Sequence, residues 1–127
     1  MTGNSLKGSR PLLSFDSSFS STSQEENKHL QLMKEVISQS FCTPRHHPKS
    51  KPFIDHIFSF SYYDGRIWFR NYQIVNEKDE LFTERDEVKD MSLVEIGPRF
   101  CLLPIRILDG FLQGDLIYQN GEYMTPT

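Results

Sequence analysis

The chain has 127 residues, with 14 Lys and Arg against 17 Asp and Glu and a net charge of −3. This length suits one domain with a single modest core, and the charge excludes a protein held to nucleic acid by overall basicity, so any such site must be a local patch. Hydrophobic residues make up 37% of the chain, enough for a packed interior, but no apolar run approaches the roughly 20 residues that cross a bilayer, so we expect no membrane partner.

The first predicted elements are a strand and a helix. Pro11 to Phe15 is a short apolar run typical of a strand, and the Ser-rich segment Ser17 to Ser23 predicts a loop. Ser23 and Glu26 match a capping box, which predicts a helix from Gln24 to about Phe41. Apolar residues at helical spacing place one face of this helix against a sheet. They are Leu30, Met33, Ile37 and Phe41.

A basic loop should follow the helix, because the segment "CTPRHHPKSKPFID" contains three prolines that exclude a regular helix. Clustered cations are what phosphate contacts require. Two further cations flank the first strand, so the segments together offer a set of candidate phosphate ligands. The candidates are Lys7, Arg10, Arg45, Lys49 and Lys51.

Asp64-Gly65 lies between two alternating aromatic-rich runs and predicts a β-hairpin with a type I′ turn. Placing Tyr63 opposite Arg66 fixes the register, so Phe60 should pair with Phe69. One face of the hairpin then becomes the core. Its predicted members are Phe58, Phe60, Tyr62, Ile67 and Phe69.

The opposite face of the hairpin carries cationic, aromatic and small polar side chains. Four of them alternate along the second strand and form what we call the arginine–aromatic stripe: Arg66, Trp68, Arg70 and Tyr72. Ile57, Ser59, Ser61, Tyr63 and Ile74 should share this face. Guanidinium groups bind phosphate and aromatic rings stack on unpaired bases, so the stripe is a candidate RNA site. A bulky Trp is more commonly covered by protein, and both alternatives stay open at this point.

The last third of the chain predicts a loop and more strands. The segment 76–90 has seven acidic and three basic residues and indicates an exposed, flexible acidic insertion. Strands are predicted at Ser92–Ile96 and Phe100–Leu108, joined by a turn at Gly97 and Pro98, and Leu116–Tyr118 could close the sheet. The predicted fold class is α+β, an α/β sandwich whose mixed, mostly antiparallel sheet has four or five strands and one main helix.

The sequence offers no anchor for catalysis or for a cofactor. It contains no G-x-S-x-G, P-loop or H-E-x-x-H pattern. Cys42, His46 and His47 lack a second ligand cluster, so we expect no metal site. Cys42 and Cys101 are the only cysteines and have no C-x-x-C spacing, which favours a reducing compartment such as the cytosol or nucleus.

Three segments together resemble the Brix domain family in the right order: "LKGSRPLLSFD", "TPRHHPKSKPFIDHIFSFSYYDGRIWFRNYQI" and "LVEIGPRFCLLPIRIL". The "VEIGPRF" stretch is the family's most recognisable signature. The family's domain has two similar halves, each like the anticodon-binding domain of some tRNA synthetases. The resemblance implies that residues 1–127 correspond to the second, C-terminal half, without the N-terminal half or the basic C-terminal tail.

The resemblance also implies a function. Members are non-enzymatic, nucleolar factors that bind pre-ribosomal RNA and other assembly proteins during maturation of the large subunit, with no cofactor and no small-molecule substrate. Arg99 lies in the signature and joins the candidate phosphate ligands. One segment departs from the family: Gly110 to Gly121 reads "GFLQGDLIYQNG" where members have a Gly-rich run, which should weaken close backbone contact with a partner. The alternative function is a structural module whose stripe is covered by protein.

Overall fold

The computed structural model describes residues 5–20, 28–44, 46–51, 54–75 and 91–126. The predicted capping box, Arg45 and the acidic segment 76–90 lie outside these residues. A short 3-10 turn at Ser17–Phe19 follows the first strand. The strands and the helix run in the order β1 (Arg10–Phe15), α1 (Lys28–Phe41), β2 (Ile54–Tyr63), β3 (Arg66–Val75), β4 (Ser92–Leu102), β5 (Arg106–Leu108) and β6 (Leu116–Gln119).

The main sheet has four strands in the order β1-β2-β3-β4. β1 and β2 are parallel, and α1 lies between them in the chain, as parallel neighbours require a crossover connection. The other two pairs, β2–β3 and β3–β4, are antiparallel. The predicted α+β class with a mixed, mostly antiparallel sheet is therefore confirmed.

The hairpin register is the predicted one. Tyr63 pairs with Arg66 and Phe60 with Phe69. Asp64 and Gly65 in the turn both have positive φ, at 54° and 69°, as a type I′ turn requires. The turn chemistry thus decides which side chains face the core.

The core lies between α1 and one face of the sheet. Leu30 and Ile37 of α1 are buried against Phe60, Ile67 and Phe69, as predicted. The remaining predicted members of both elements pack against this cluster while partly buried: Met33, Phe41, Phe58 and Tyr62.

The buried Phe19 was missed because it follows serines in a segment that reads as a loop. Asp16 fixes this segment, since its carboxylate accepts hydrogen bonds from the backbone N–H groups of Ser18 and Tyr62, both at 3.1 Å. A polar side chain thereby holds the 3-10 turn over the core.

The predicted turn at Gly97 and Pro98 is wrong. β4 continues from Ser92 to Leu102, and its pairing with β3 shifts between Arg70 and Tyr72. Gly97 has a φ of +73° and the Gly97–Pro98 peptide bond is cis. Glycine and proline mark a β-bulge here, because a bulge also needs a residue that tolerates positive φ.

The end of the chain does not close the main sheet as expected. The predicted strand Phe100–Leu108 is divided: its first residues belong to β4, Pro104 lies in the gap, and β5 begins at Arg106. β5 pairs with β6 in a separate two-stranded sheet. His29 of α1 stacks on Tyr118 of β6, with ring centroids 3.9 Å apart, and so holds the small sheet against the helix.

Within the described residues, no helix has the length and apolarity that crossing a membrane requires. The same residues contain no group of three or more His, Cys, Asp or Glu side chains that could hold a metal ion.

Candidate nucleic-acid interface

The arginine–aromatic stripe lies on the sheet face opposite α1. Arg66, Trp68 and Arg70 are exposed and Tyr72 is half-buried. Trp68 keeps 38% of its surface exposed, which is unusual for the largest apolar side chain. Ile74 continues the same face but is only 7% exposed, so the open part of the stripe ends near Tyr72.

Trp68 sits between short side chains. Ser61 of β2 and Cys101 of β4 are its cross-strand partners. Its indole Nε1–H donates a hydrogen bond to the backbone carbonyl of Tyr63 at 3.0 Å. The indole is therefore fixed in orientation, with no bulky cross-strand neighbour at its own level.

β4 adds an ion pair that the sequence interpretation missed. Arg99 lies opposite Arg70, and Glu95 lies opposite Tyr72. The Arg99 guanidinium donates to both carboxylate oxygens of Glu95, with Nη2–Oε2 at 2.7 Å. Hydrogen bonding to Arg99 lowers the pKa of Glu95 against the opposing effect of burial, and the charges of Arg99 and Arg70 lower it further. Arg99, predicted as a candidate phosphate ligand, is therefore paired with Glu95 in this structure.

The bulge explains why this pair was not visible in the sequence. Residues four apart in a regular strand are separated by about 13 Å, and their partners on the neighbouring strand are also four residues apart. Here Glu95 and Arg99 oppose Tyr72 and Arg70, which are only two residues apart on β3. The extra residues of the bulge bring the carboxylate next to the guanidinium.

The other candidate cations form a second group. Lys7, Lys49 and Lys51 line a groove of about 630 Å³ together with Cys42 and His47. The backbone N–H of Lys51 donates to the carbonyl of Gly8 at 2.7 Å and joins the two loops. Arg10 lies at the start of β1, half-buried and opposite Ile54.

The structure does not bring the two groups together. The lysine groove lies near Ile54, where β2 begins. Arg70 pairs with Ser59, five residues further along β2, and this separation is about 17 Å in a strand. Arg66 pairs with Tyr63 at the far end of β2, about 30 Å from its start. The sheet face and the lysine groove are separate candidate sites.

A cluster of the half-buried Ser9 and the buried Asp55 and His56 ties residues 6–9 to β2. Asp55 accepts a hydrogen bond from the backbone N–H of Leu6 at 2.7 Å. Ser9 Oγ and His56 Nδ1 both contact Asp55 Oδ1, at 2.5 and 2.6 Å. A catalytic triad needs Ser and Asp on opposite ring nitrogens, whereas here Ser9 also approaches Nδ1, at 3.3 Å. The cluster is a structural tie.

The pKa of Asp55 reflects this tie. Burial raises it, but the hydrogen bonds from Leu6, Ser9 and His56 together with the charge of His56 outweigh burial. The pKa of Asp55 is therefore lower than that of an ordinary aspartate. The carboxylate form is the one that holds the loop.

Comparison with known sequences identifies similar proteins. A sequence profile of the Brix domain matches residues 1–106. The chain is 51% identical over 126 residues to the ribosome biogenesis protein BRX1 homolog of Homo sapiens, covering 99% of this chain and 31% of the relative. It is 48% identical over 127 residues to the Drosophila melanogaster homolog, covering 100% of this chain and 31% of the relative. The Arabidopsis thaliana BRX1 homolog 1 is 49% identical over 129 residues, covering 99% of this chain and 39% of the relative. The chain thus spans about a third of the length of these relatives.

Proposed function

Because this chain belongs to the Brix domain family, we propose that it acts in ribosome biogenesis, as the similar proteins are named to do. Its role is in assembly of the large subunit in the nucleolus, by binding pre-ribosomal RNA and other assembly factors and not by catalysis. The chain corresponds to the second half of the domain, with the acidic segment 76–90 as an insertion in it.

One observation carries the RNA-binding part of this proposal. Trp68 is exposed between two exposed arginines, and the side chains directly across from it, Ser61 and Cys101, are short. Aromatic rings that alternate with cations on a strand suit RNA, because the rings stack on bases while the guanidinium groups contact phosphates. This local patch gives a chain of net charge −3 a surface that an anionic polymer can approach.

Charge reversal tests the proposal. We expect Arg66→Glu combined with Arg70→Glu to abolish binding of a structured ribosomal RNA fragment, measured by fluorescence anisotropy over a series of salt concentrations. Arg70→Glu alone should weaken binding and reduce the salt slope by about 0.7, the value for one phosphate contact on a single strand. Arg106→Glu is the matched control, since Arg106 is exposed but lies on β5 in the second sheet. Equal loss in Arg70→Glu and Arg106→Glu would count against a site on the stripe.

A second candidate function is a protein-covered face, favoured by the 38% exposure of Trp68, because a bulky Trp is more commonly covered by protein. Trp68 is the only tryptophan and reports on both candidates. If a protein covers the stripe, the emission of Trp68 should shift to the blue when the rest of a full-length relative is added as a separate polypeptide. Quenching by RNA without any response to the polypeptide supports the RNA site.

A further inference from the structure

The surroundings of Trp68 bear on which form of RNA the stripe accepts. In a duplex, each base is already stacked on its neighbours, so a ring on a flat sheet face can reach no base face. An unpaired base can be splayed out and laid on an aromatic ring. The residues directly across from Trp68 on the two neighbouring strands, Ser61 and Cys101, have short side chains. A base on Trp68 therefore meets no large side chain directly across either strand, and the exposed Tyr63 is the next same-face residue on β2.

The hydrogen bond of Trp68 limits what its indole can do. Nε1–H is the only polar group of the side chain, and the Tyr63 carbonyl already accepts it at 3.0 Å. The indole then has no donor left to read a base edge, but it retains a fixed ring for stacking. Because every base has a π-face, stacking of this kind tolerates any sequence.

The cations around Trp68 differ in availability. Arg66 and Arg70 are its neighbours on the same face of β3, two residues before and two residues after it. Arg99, across from Arg70, is held by Glu95. Among the described residues, no carboxylate is hydrogen-bonded to Arg66 or Arg70, although the charge of Arg70 also acts on Glu95. These two arginines are therefore the nearest partners for the phosphate next to a base on Trp68.

We infer that the stripe is a stacking platform for unpaired nucleotides, with the base on Trp68, the adjoining phosphates on Arg70 and Arg66, and no base preference at Trp68. This inference rests on the proposed RNA-binding function and specifies the form of RNA bound. It makes single-stranded segments or loops the ligand, and duplex RNA a poor one.

The test compares a 12-nucleotide single strand of mixed sequence with the duplex formed by the same strand and its complement, at one salt concentration. We expect tighter binding to the single strand, with quenching of Trp68 fluorescence. Trp68→Leu should weaken single-strand binding about 5- to 150-fold, whereas Trp68→Phe should keep most of the affinity because it retains a ring. Phe111→Leu is the control, since Phe111 is an exposed aromatic residue in the β5–β6 connection.

The results distinguish a failure of the stacking platform from a failure of RNA binding itself. If RNA binds with dependence on Arg70 but the duplex binds equally well and Trp68→Leu changes nothing, the platform is wrong and RNA binding stands. If a Trp68→Leu loss appears with oligouridylate and not with oligocytidylate or oligoadenylate, the absence of base preference is wrong. If neither form of RNA binds, both proposals fail. Urea unfolding of each variant checks that Trp68→Leu folds, and Trp68→Phe supplies a second test if it does not.

Discussion

At the scale of single residues, Glu95 limits the positive charge of the sheet face. The described strands β3 and β4 place three arginines on this face, but one of them, Arg99, donates to both oxygens of Glu95. Hydrogen bonding to Arg99 lowers the pKa of Glu95 below its ordinary value of 4.5, so the carboxylate is ionised at neutral pH. Both partners of the pair are therefore charged at the neutral pH of the RNA-binding measurements.

Removing this carboxylate should strengthen RNA binding. In Glu95→Gln, Arg99 loses its charged partner and becomes available for one more phosphate, so we expect higher affinity and a salt slope steeper by about 0.7 on single-stranded RNA. Anisotropy titrations at several salt concentrations measure both quantities. Glu122→Gln is the matched control, because Glu122 is exposed and lies beyond β6. Weaker binding in Glu95→Gln would mean that Glu95 itself contacts the ligand or that its pair with Arg99 shapes the site.

Asp55 provides a residue-scale prediction about stability. Its folded-state pKa is below 3.8, so its contribution is fully present above that value and is lost as the pH falls through the folded-state pKa. Asp55→Ala leaves the N–H of Leu6 without its acceptor, and we expect a loss of about 1–3 kcal/mol in the free energy of unfolding at pH 7.

Urea unfolding at pH 7 and at progressively lower pH measures this contribution. The difference between the unmodified chain and Asp55→Ala should shrink once Asp55 is protonated in both states of the unmodified chain. Asp115→Ala, which removes an exposed carboxylate, should show neither effect. A difference that stays constant with pH would contradict a role for the ionised carboxylate.

At the scale of elements, the sequence predicted what local chemistry determines. Asp64-Gly65 and the strict alternation around it predicted the hairpin, its register and the two faces, because the turn type and the pleat fix all three. Gly97-Pro98 was misread because glycine and proline favour turns as much as bulges, and only the neighbouring strand decides between them. β6 was placed in the wrong sheet for a different reason, because an apolar run does not specify which strand it pairs with.

The bulge itself gives the prediction at this scale. Gly97 has a φ of +73°, so Gly97→Ala places a Cβ in the left-handed region, which costs roughly 1–2 kcal/mol per residue. Asn71 is buried and its Nδ2 donates to the Gly97 carbonyl at 3.0 Å, so displacement of this peptide also disturbs a buried polar group. We expect Gly97→Ala to lower the free energy of unfolding and to weaken the Glu95–Arg99 pair.

Chemical denaturation measures the change in the free energy of unfolding. The strength of the Glu95–Arg99 pair is measured by introducing Glu95→Gln into the Gly97→Ala chain and comparing RNA affinities. If the pair is weakened, Glu95→Gln should change affinity less there than in the unmodified chain. Gly121→Ala is the control, because an added Cβ at Gly121 meets no atom within 4 Å. Equal destabilisation by both substitutions would show that the positive φ of Gly97 does not cause the loss of stability in Gly97→Ala.

At the scale of the whole molecule, the chain presents two basic surfaces at different ends of the sheet. The stripe could be predicted from alternation along one strand, but its separation from the lysine groove could not. That separation depends on where the loops of residues 5–9 and 46–51 meet the sheet, and the Asp55 cluster and the Gly8–Lys51 hydrogen bond set it. Spacing along the sequence does not show which of these cations lie on the stripe and which lie in the lysine groove.

The two native cysteines distinguish these surfaces. Cys101 is exposed and lies opposite Trp68, whereas Cys42 is exposed and lines the lysine groove. We expect single-stranded RNA to slow alkylation of Cys101 by a maleimide, because a strand stacked on Trp68 shields the adjacent row of β4. A short oligonucleotide should leave Cys42 unprotected, since the groove is about 17 to 30 Å along the strands from the stripe.

Oligonucleotides of increasing length extend this experiment to the relation between the surfaces. If one RNA can reach both, protection of Cys42 should appear only above a threshold length, and Lys49→Glu with Lys51→Glu should remove it while leaving Cys101 protected. Mass spectrometry of the alkylated peptides quantifies each cysteine separately in one sample. Protection of Cys42 without Cys101 by a short RNA would place the RNA site in the lysine groove and leave the stripe to a protein partner.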